Sequence, residues 1–342
     1  MTFVFAAWDN TQVQNADFEC QDACPQPAAN CDSAKVSFKD VSFKYTGSSW
    51  DPQDDGDDND DGDDSDDGDD NDDGDDSDDG DDGDDGDDGD DGDDGDDPWE
   101  FSKFVGYVDD GFFDAEEYEF YVKGLDSSYL ETWYDTIQMN GNNRAFVLDV
   151  PANDSIEWAF YTGYLGGSLS FDVNVNEVGC GCAAGVYLAA LDDDTCSWSP
   201  YPMGDKPQCS SIDVMEANRN GFTAAAHPCE GSECDLESQS KNNVNDHDAM
   251  SFGPGKKYTI NTKKNFNVRT QFYAGVDEDG WYTDLLKIKT TITQGNNEIS
   301  MQQTDSAYLS TFTSLLDYQM ALGISVYDAG TDNDIASGQC ND

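Results

Sequence analysis

The chain has 342 residues and a formal net charge of −59, because 75 Asp and Glu stand against only 16 Lys and Arg. This balance argues against a nucleic-acid backbone as partner, since binding there depends on Lys and Arg that release counterions. It disfavours anionic membrane surfaces in the same way, and no apolar stretch approaches the roughly 20 residues of a membrane helix. Neutral polysaccharide, divalent cations and basic proteins remain as partner classes.

An acidic low-complexity run occupies residues 54–97, where Asp-Asp-X repeats with Gly, Asn or Ser at X. It supplies 30 of the negative charges, and the other 298 residues carry about −29. The composition predicts a solvated, self-repelling spacer. A sharper hypothesis is Ca²⁺ binding by some of the carboxylates from Asp54 to Asp97, because Ca²⁺ prefers closely spaced oxygen ligands. No other cofactor is expected.

The cysteines number ten, at positions 20, 24, 31, 180, 182, 196, 209, 229, 234 and 340. An even count in a chain without a cytosolic redox motif favours disulfides over a zinc site. Disulfides form in oxidising compartments, so we expect a secreted, extracellular protein. The sequon at Asn153 agrees with secretion but is common by chance.

The acidic run divides the chain into three parts: residues 1–50, the insertion at 51–98, and a main domain at 99–342. The first part contains cysteines and is too short for a stable core of its own. Its alternating Val36, Phe38, Val41, Phe43 and Tyr45 predict one or two strands. We expect them to join the main domain, with an independent disulfide-stapled module as the alternative.

Strand signals recur through the main domain with Gly-rich turns between them. The predicted strands are Arg144–Val150, Ser155–Tyr161, Ser168–Val175, Gly185–Ala190, Phe266–Phe272, Leu285–Thr293 and Ala321–Asp328. One helix is predicted, with Tyr308, Phe312, Leu315 and Leu316 on one face. Many short strands with such turns indicate an all-β fold, a two-sheet jelly-roll sandwich.

An acidic pair, Asp213 and Glu216, lies inside one further strand-like run. Positions three apart point to opposite faces of a regular strand, but a β-bulge between them would bring both carboxylates to one face, and bulges are common beside active sites. Two carboxylates on one concave face are the minimum for glycoside hydrolysis. By itself this signal is weak, because an acidic pair on an exposed strand is usually only solvated.

The run Cys209-Ser-Ser-Ile-Asp-Val-Met-Glu-Ala-Asn218 resembles the Cys-Ser-Glu-Met-Asp-Ile-Trp-Glu-Ala-Asn signature of glycoside hydrolase family seven, the cellobiohydrolases and endoglucanases. His227-Pro228-Cys229 resembles the family's Pro-His-Pro-Cys. The likeness covers about residues 140–330 and implies a concanavalin A-like jelly roll with a glucan cleft. Flanking segments that also agree are Ser168-Leu-Ser-Phe-Asp-Val-Asn-Val, Gly179-Cys180-Gly, Gly185-Val-Tyr-Leu, Phe252-Gly-Pro-Gly, Val268-Arg-Thr-Gln-Phe and Cys229-Glu-Gly-Ser-Glu-Cys234.

The resemblance implies a catalytic role for each acid of the signature. Glu216 stands at the position of the general acid/base, and Asp213 stands at that of the supporting acid. Ser211 stands where the family has its nucleophile, whereas a retaining mechanism needs a carboxylate about 5–5.5 Å from the acid. No base that would activate the serine is visible in the sequence. We therefore expect little or no hydrolysis.

Other residues enter as weaker candidates. His227 is as readily a structural histidine as a residue of the cleft. Tyr327 aligns with a Trp of the family's sugar platform, and Asn218, Trp198 and Trp281 are further substrate-binding candidates, although aromatic residues of a sandwich more often lie in its core or rim.

The resemblance also implies two disulfides, Cys196–Cys209 and Cys229–Cys234. The remaining six cysteines, at positions 20, 24, 31, 180, 182 and 340, allow 15 pairings, among which the sequence does not choose.

Three hypotheses remain for the function. The first is a cellulase-like pseudoenzyme that binds β-glucan or another polysaccharide without cutting it. The second is a retaining β-1,4-glucanase that has moved the nucleophile role to another residue. The third is a structural subunit of an extracellular wall or fibre, in which the acidic run binds cations and the chain self-assembles.

Overall fold

The computed structural model describes residues 31–44, 102–109, 116–124, 127–141, 143–148, 164–190, 209–230, 233–235, 242–244, 250–318 and 320–329. They belong to one of two units in the chain, Met1–Trp50 with Glu100–Asp342. The other unit, Asp51–Trp99, lies outside the described residues together with the hypothetical Ca²⁺ ligands Asp54 to Asp97. The three-part division of the chain stays a prediction.

Strands make up most of the described chain. In chain order they are β1 (Lys35–Lys44), β2 (Ser102–Asp109), β3 (Glu116–Gly124), β4 (Leu130–Trp133), β5 (Thr136–Asn140), β6 (Asn143–Leu148), β7 (Ser168–Asn174), β8 (Cys182–Ala190), β9 (Ser211–Ala217), β10 (Phe222–His227), β11 (Cys229–Glu230), β12 (Glu233–Cys234), β13 (Asn242–Asn243), β14 (Phe252–Gly253), β15 (Ile260–Asn261), β16 (Phe266–Val276), β17 (Tyr282–Gln294), β18 (Asn297–Gln303) and β19 (Met320–Asp328). The helices are α1 (Ser306–Leu309) and α2 (Thr313–Tyr318), with 3₁₀ turns at Cys31–Ser33, Ser127–Tyr129 and Ser310–Phe312.

One large sheet contains most of these strands, in the order β13-β10-β9-β8-β19-β6-β3-β2-β1-β7-β16-β17-β18. Strand β5 also pairs with β1, and β4 pairs with β5. We call β13-β10-β9-β8-β19-β6 the front half and β1-β7-β16-β17-β18 the back half; β3 and β2 join them. Because β13 approaches β18, the sheet is nearly closed, and its two halves form the layers of a sandwich.

Aromatic side chains bridge the two halves of the sandwich. The Phe222 ring of β10 lies 5.8 Å from that of Phe252, which lies 5.3 Å from that of Phe266 on β16. All three residues are buried and belong to a single hydrophobic cluster to which both halves contribute. Burying each such ring contributes about 1.5–3 kcal/mol, so the core stabilises the pairing of the halves.

A β-bulge in β1 explains why the alternation of apolar and polar residues breaks between Phe38 and Val41. Lys39 pairs with Asp172 of β7 and Ser42 pairs with Ser170, so β1 holds one extra residue between these pairs. Asp40 lies there with φ of 50°, a left-handed conformation that Asp tolerates better than most residues. The bulge reverses the side-chain phase. Side chains on both sides of it therefore enter the core: Val36, Phe38, Val41 and Phe43.

The predicted all-β sandwich is confirmed. Strands stand at the predicted positions, apart from Ser155–Tyr161, which lies outside the described residues. The predicted helix is present as α1, a 3₁₀ turn and α2, with Phe312 and Leu316 buried. None of the described helices has the length and apolar character needed to cross a bilayer.

Disulfides join distant parts of the described chain. Cys31 is bonded to Cys182, which ties the start of β1 to β8 and selects one of the pairings that the sequence left open. The expected bridge between Cys229 and Cys234 is present. Cys180 and Cys209 each form a disulfide as well, with partners outside the described disulfides. Cys196, the expected partner of Cys209, lies outside the described residues.

Loss of the long bridge should cost far more stability than loss of the short one. Cys31–Cys182 closes a separation of 151 residues and Cys229–Cys234 one of 5. Chain entropy in the unfolded state therefore predicts a difference of about 3 kcal/mol. Urea unfolding of the C31S/C182S and C229S/C234S variants measures it. Equal losses would show that the long bridge does not restrict the unfolded chain.

Candidate functional site

Strand β9 contains a β-bulge at Val214–Met215. Glu216 pairs with Thr223 of β10 and Asp213 pairs with Ala225, so two residues of β9 face one residue of β10. The pairing with β8 on the other side shows the same extra residue. The structure therefore contains the bulge that the acidic pair required.

The bulge brings the polar residues of β9 to one face. Ser211, Asp213 and Glu216 are partly exposed on the side of the front half that faces away from the core. The residues of β9 that are buried in the core are Ile212, Val214, Met215 and Ala217.

His227 forms an ion pair with Asp213. Its Nε2 lies 2.9 Å from Oδ2 of Asp213, and its Nδ1 lies 2.8 Å from the carbonyl oxygen of Asp235. A carbonyl oxygen only accepts, so Nδ1 carries a proton. Burial by itself would lower the pKa of His227, but the Asp213 carboxylate, the Asp235 carbonyl and the Glu216 charge outweigh it and raise the pKa to about 9. At neutral pH the ring is therefore a cation that donates to Asp213.

Ser211 has a histidine neighbour that does not act as its base, and the described residues provide no other. It pairs with His227 across β9 and β10, which brings the two side chains close together on one face. An activating base needs an unprotonated nitrogen that faces the hydroxyl, whereas both ring nitrogens of His227 donate elsewhere. The three residues Ser211, His227 and Asp213 are therefore not a nucleophilic triad.

The carboxylate of Glu216 is held by two hydroxyl groups. Tyr327 of β19 donates to Oε1, and the hydroxyl of Thr223 lies 3.4 Å from Oε2. Burial, followed by the neighbouring Glu216 charge, raises the pKa of Tyr327 well above its usual value. Tyr327 is therefore a neutral phenol at any ordinary pH. The structure gives it a contact with Glu216, while its place in a sugar platform stays a prediction.

A polar row runs across five strands of the front half at the level of Glu216. Cross-strand pairing aligns Arg144 of β6, Ser325 of β19, Gly185 of β8, Glu216 and Thr223. Paired residues point to the same face of a sheet, so the row presents a guanidinium, two hydroxyls and a carboxylate around a glycine. The sequence does not show this row, because it depends on the register of distant strands.

Tyr187 is a second aromatic residue of the same face that the sequence did not single out. It pairs with Asp213, and its ring lies over Gly185, where an added Cβ atom would lie 2.8 Å from a ring carbon. A glycine at that position therefore makes room for the ring. Burial raises the pKa of Tyr187 above its usual value, so this phenol is also neutral.

A small disulfide hairpin supports His227. Strands β11 and β12 are joined by Cys229–Cys234, and Asp235 follows directly with its carbonyl at His227. The hydroxyl of Tyr308 in α1 lies 2.8 Å from Oδ2 of Asp235 and 2.8 Å from the carbonyl oxygen of Ala226. The position of the imidazole is thus set by the strand, the hairpin and the helix together.

Two further predicted residues, Asn218 and Trp281, make no described contact with Glu216. Asn218 is fully buried, and its Oδ1 accepts from the backbone amides of Asn220 and Gly221 in the β9–β10 turn, which argues against contact with substrate. Trp281 is 57% exposed beside β17 of the back half, and no described contact joins it to Glu216. Trp198 lies outside the described residues. Among the described residues, no three His, Cys, Asp or Glu side chains gather as a metal site would require.

Comparison with known proteins identifies the fold. No family model matches the chain. Endoglucanase EG-1 of Trichoderma longibrachiatum is 25% identical over 201 residues, which cover 48% of this chain and 42% of the relative, so the match spans less than half of the relative's length. A solved structure of endoglucanase I complexed with cellobiose is 16% identical and superposes with a TM-score of 0.57 over 70% of this chain and 90% of its own.

A structure of Humicola insolens Cel7B, described for glycosynthase mutants in which a glutamate is replaced by alanine or serine, gives a TM-score of 0.54. It is 16% identical and covers 68% of this chain and 87% of its own. The chain has the fold of the family-seven glycoside hydrolases. The jelly roll expected from the resemblance is thus confirmed, whereas the roles of Ser211, Asp213, Glu216 and His227 stay proposals.

The ion pair of His227 should make the stability of this family-seven fold depend on pH. Its pKa of about 9 lies above the ordinary value near 6.5. The added stability is therefore complete below about pH 6.5 and is lost as the pH rises through about 9, on the order of 3 kcal/mol in all. Urea unfolding between pH 6 and pH 10 measures this loss of stability. The H227Q variant should show much less of it.

The matched control is H247Q, because His247 is the other histidine of the chain and lies outside the described residues. It should keep the pH dependence of the native chain. A native chain whose stability is constant from pH 6 to pH 10 would contradict the ion pair.

Proposed function

We propose that the chain is an extracellular, cellulase-like protein that binds β-glucan over β9 and does not hydrolyse it. The observation that carries the proposal is Ser211, which occupies the nucleophile position beside an otherwise retained pair of acids. A structural subunit and an active β-1,4-glucanase are the alternatives that the experiments below separate.

The absence of hydrolysis follows from the chemistry of the two steps. A retaining glycosidase needs one carboxylate to attack the anomeric carbon and one acid to protonate the leaving oxygen. Glu216 suits the second role, but no base lies beside Ser211 among the residues that the structure describes. Asp213 is committed to the His227 cation, which lowers its value as a substitute nucleophile.

The groups around Glu216 suit a neutral, hydroxyl-rich ligand. The phenols of Tyr327 and Tyr187 are uncharged. In the polar row, Arg144 and Glu216 are partly exposed, whereas Ser325 and Thr223 are buried. The charge of Asp213 is offset by His227, and Glu216 is held by the neutral hydroxyls of Tyr327 and Thr223. Glucan hydroxyls both donate and accept hydrogen bonds, so such a surface would recognise them without a charged group on the sugar.

The comparisons give this proposal its ligand class. One solved neighbour is described as complexed with cellobiose, and the curated relatives are endoglucanases. The disulfides of the chain support an oxidising, extracellular location.

Restoring a carboxylate at position 211 should restore hydrolysis. The native chain should release no reducing ends from cello-oligosaccharides or mixed-linkage glucan, whereas S211E should exceed it by about 10²-fold or more. In the S211E background, E216Q should lower the rate by about 10²–10⁴-fold because the general acid is lost. Reducing-end release with purified protein measures all three.

Two results would favour the alternatives. Hydrolysis by the native chain that E216Q abolishes would make it a glucanase with another nucleophile. Inactivity of both native and S211E chains, with no measurable affinity for cello-oligosaccharides, would favour a structural role. The conservative S211T variant is the control, because it fills the position without adding a carboxylate and should stay inactive.

A substrate that needs no nucleophile should react with the native chain. In α-cellobiosyl fluoride the leaving group already occupies the face that the nucleophile would use. An acceptor hydroxyl can attack the anomeric carbon, fluoride leaves, and Glu216 takes the proton of the acceptor. We expect longer β-linked oligosaccharides from the native chain and none from E216Q, measured by mass spectrometry. The glutamate-to-serine Cel7B described as a glycosynthase supports this expectation.

A further inference from the structure

The outer face of the back half carries a strip without carboxylates, although the chain as a whole is strongly acidic. Cross-strand pairing defines three adjacent rows on this face. We call these rows the basic strip: Ser42-Ser170-Arg269-Thr291-Ser300, then Lys44-Ser168-Gln271-Lys289-Gln302, then Tyr273-Lys287. Its members are four cations, hydroxyls, amides and one tyrosine.

Three cations of the strip have no ion-pair partner in the described part of the chain: Arg269, Lys287 and Lys289. Arg269 is exposed and the two lysines are half-buried, and the Lys287 ammonium lies 3.9 Å from the centre of the Tyr273 ring. Lys39, in the row beyond the strip, differs because Asp135 and Asp40 pair with it.

The described carboxylates nearest to the strip lie along its borders, and Asp109 of β2 pairs with Lys44 at the end of one row. Asp172 accepts a hydrogen bond of 2.9 Å from Asn267, and Glu298 lies 3.3 Å from the hydroxyl of Ser300. Asp284 is on β17 beyond Lys287, towards the β16–β17 turn. The strip is therefore a positive band bounded by acidic residues, which favours a ligand that lies along the rows.

The spacing of the charges indicates a sparsely charged ligand. Lys287 and Lys289 are two residues apart on one strand, about 7 Å, and Lys44 lies three strand spacings from Lys289, about 14 Å. Duplex DNA carries one charge per about 1.7 Å of its axis, and an extended Asp-rich peptide one per about 3.4 Å. The hydroxyls and amides between the cations would be left without partners by such ligands.

We propose that the basic strip binds an acidic polysaccharide that carries uronate carboxylates. A uronate chain has at most one charge per sugar and hydroxyls between the charges, which matches cations that alternate with Ser, Thr and Gln. Arg269 would hold a carboxylate through paired N–H donors, and the lysines act as point charges. The strip lies on the opposite half of the sandwich from Glu216, so the proposal is independent of the glucan cleft.

The net charge of the chain does not prevent this binding. At an ionic strength of 0.15 M charges are screened beyond about 8 Å. Repulsion from distant carboxylates is therefore weak, whereas the cations of the strip contact the ligand at shorter distances. Binding should nevertheless weaken as salt is raised, because its contacts are exposed.

The test measures the affinity of the full chain for immobilised polygalacturonate. We expect binding that falls as salt rises from 50 to 500 mM. The R269A/K287A/K289A variant should bind about tenfold or more weakly, since it loses three exposed charge contacts, while its affinity for cello-oligosaccharides stays at the native value. The matched control is K256A/K263A/K264A, which removes the same charge from exposed lysines outside the strip and should change the affinity by less than about twofold.

Four outcomes would overturn the proposal. The first is no binding of polygalacturonate at 50 mM salt. The second is an equal loss in the control variant, which would mean that only net charge matters. The third is equal or tighter binding of an Asp-rich peptide or of single-stranded DNA, which would make the strip a general polyanion surface. The fourth is equal or tighter binding of dextran sulfate, which would exclude a preference for carboxylates. Thermal unfolding of each variant shows whether it keeps the native fold.

Discussion

The extra residue at Val214–Met215 is the constraint on which the candidate site depends. A shift of one residue moves every following side chain of a strand to the other face of its sheet. Without the bulge, Glu216 would point into the core when Asp213 points outward. A carboxylate buried there without partners would cost several kcal/mol. With the bulge, both acids face the same side and apolar residues on each side of it fill the core.

The bulge also determines how the charges of the site are neutralised. It places Asp213 against His227 on the neighbouring strand and Glu216 against Tyr327 across β8. One carboxylate is therefore matched by a cation and the other by neutral donors. Ser211 adds no charge to this arrangement. A third carboxylate at that position would compete with Asp213 for the same imidazolium.

The sequence predicts the fold better than it predicts the site. Hydrophobic alternation locates β7, β16 and β17, because such strands have one buried face. In β1 the alternation changes phase, and the bulge at Asp40 is the physical reason. Nothing in local alternation shows that Arg144, Ser325 and Thr223 lie level with Glu216, since that row exists only through the pairing of strands distant in the chain.

Apart from Tyr327, which the resemblance indicated, site residues were predicted where one continuous segment holds them and missed where the fold assembles them. Asp213, Glu216 and His227 lie within 15 residues of each other, and the structure brings them together. Tyr187 contacts the site from another strand and carried no signal of its own. Asn218 belongs to the same signature segment, yet its side chain hydrogen-bonds the backbone of the β9–β10 turn. A residue next to a site often stabilises the backbone that positions the site.

The same dependence on register governs the charges of the back half. The net charge of −59 is a sum over the chain, and a ligand responds to the charges within a Debye length of where it binds. Pairing of β1, β7, β16 and β17 places Lys44, Arg269, Lys287 and Lys289 on one face. Within these four strands no carboxylate lies in their rows, although Asp109 of β2 pairs with Lys44 at one end. The net charge therefore argues against anionic ligands on the average surface. It does not argue against them on a face where the strands bring several of the chain's cations together.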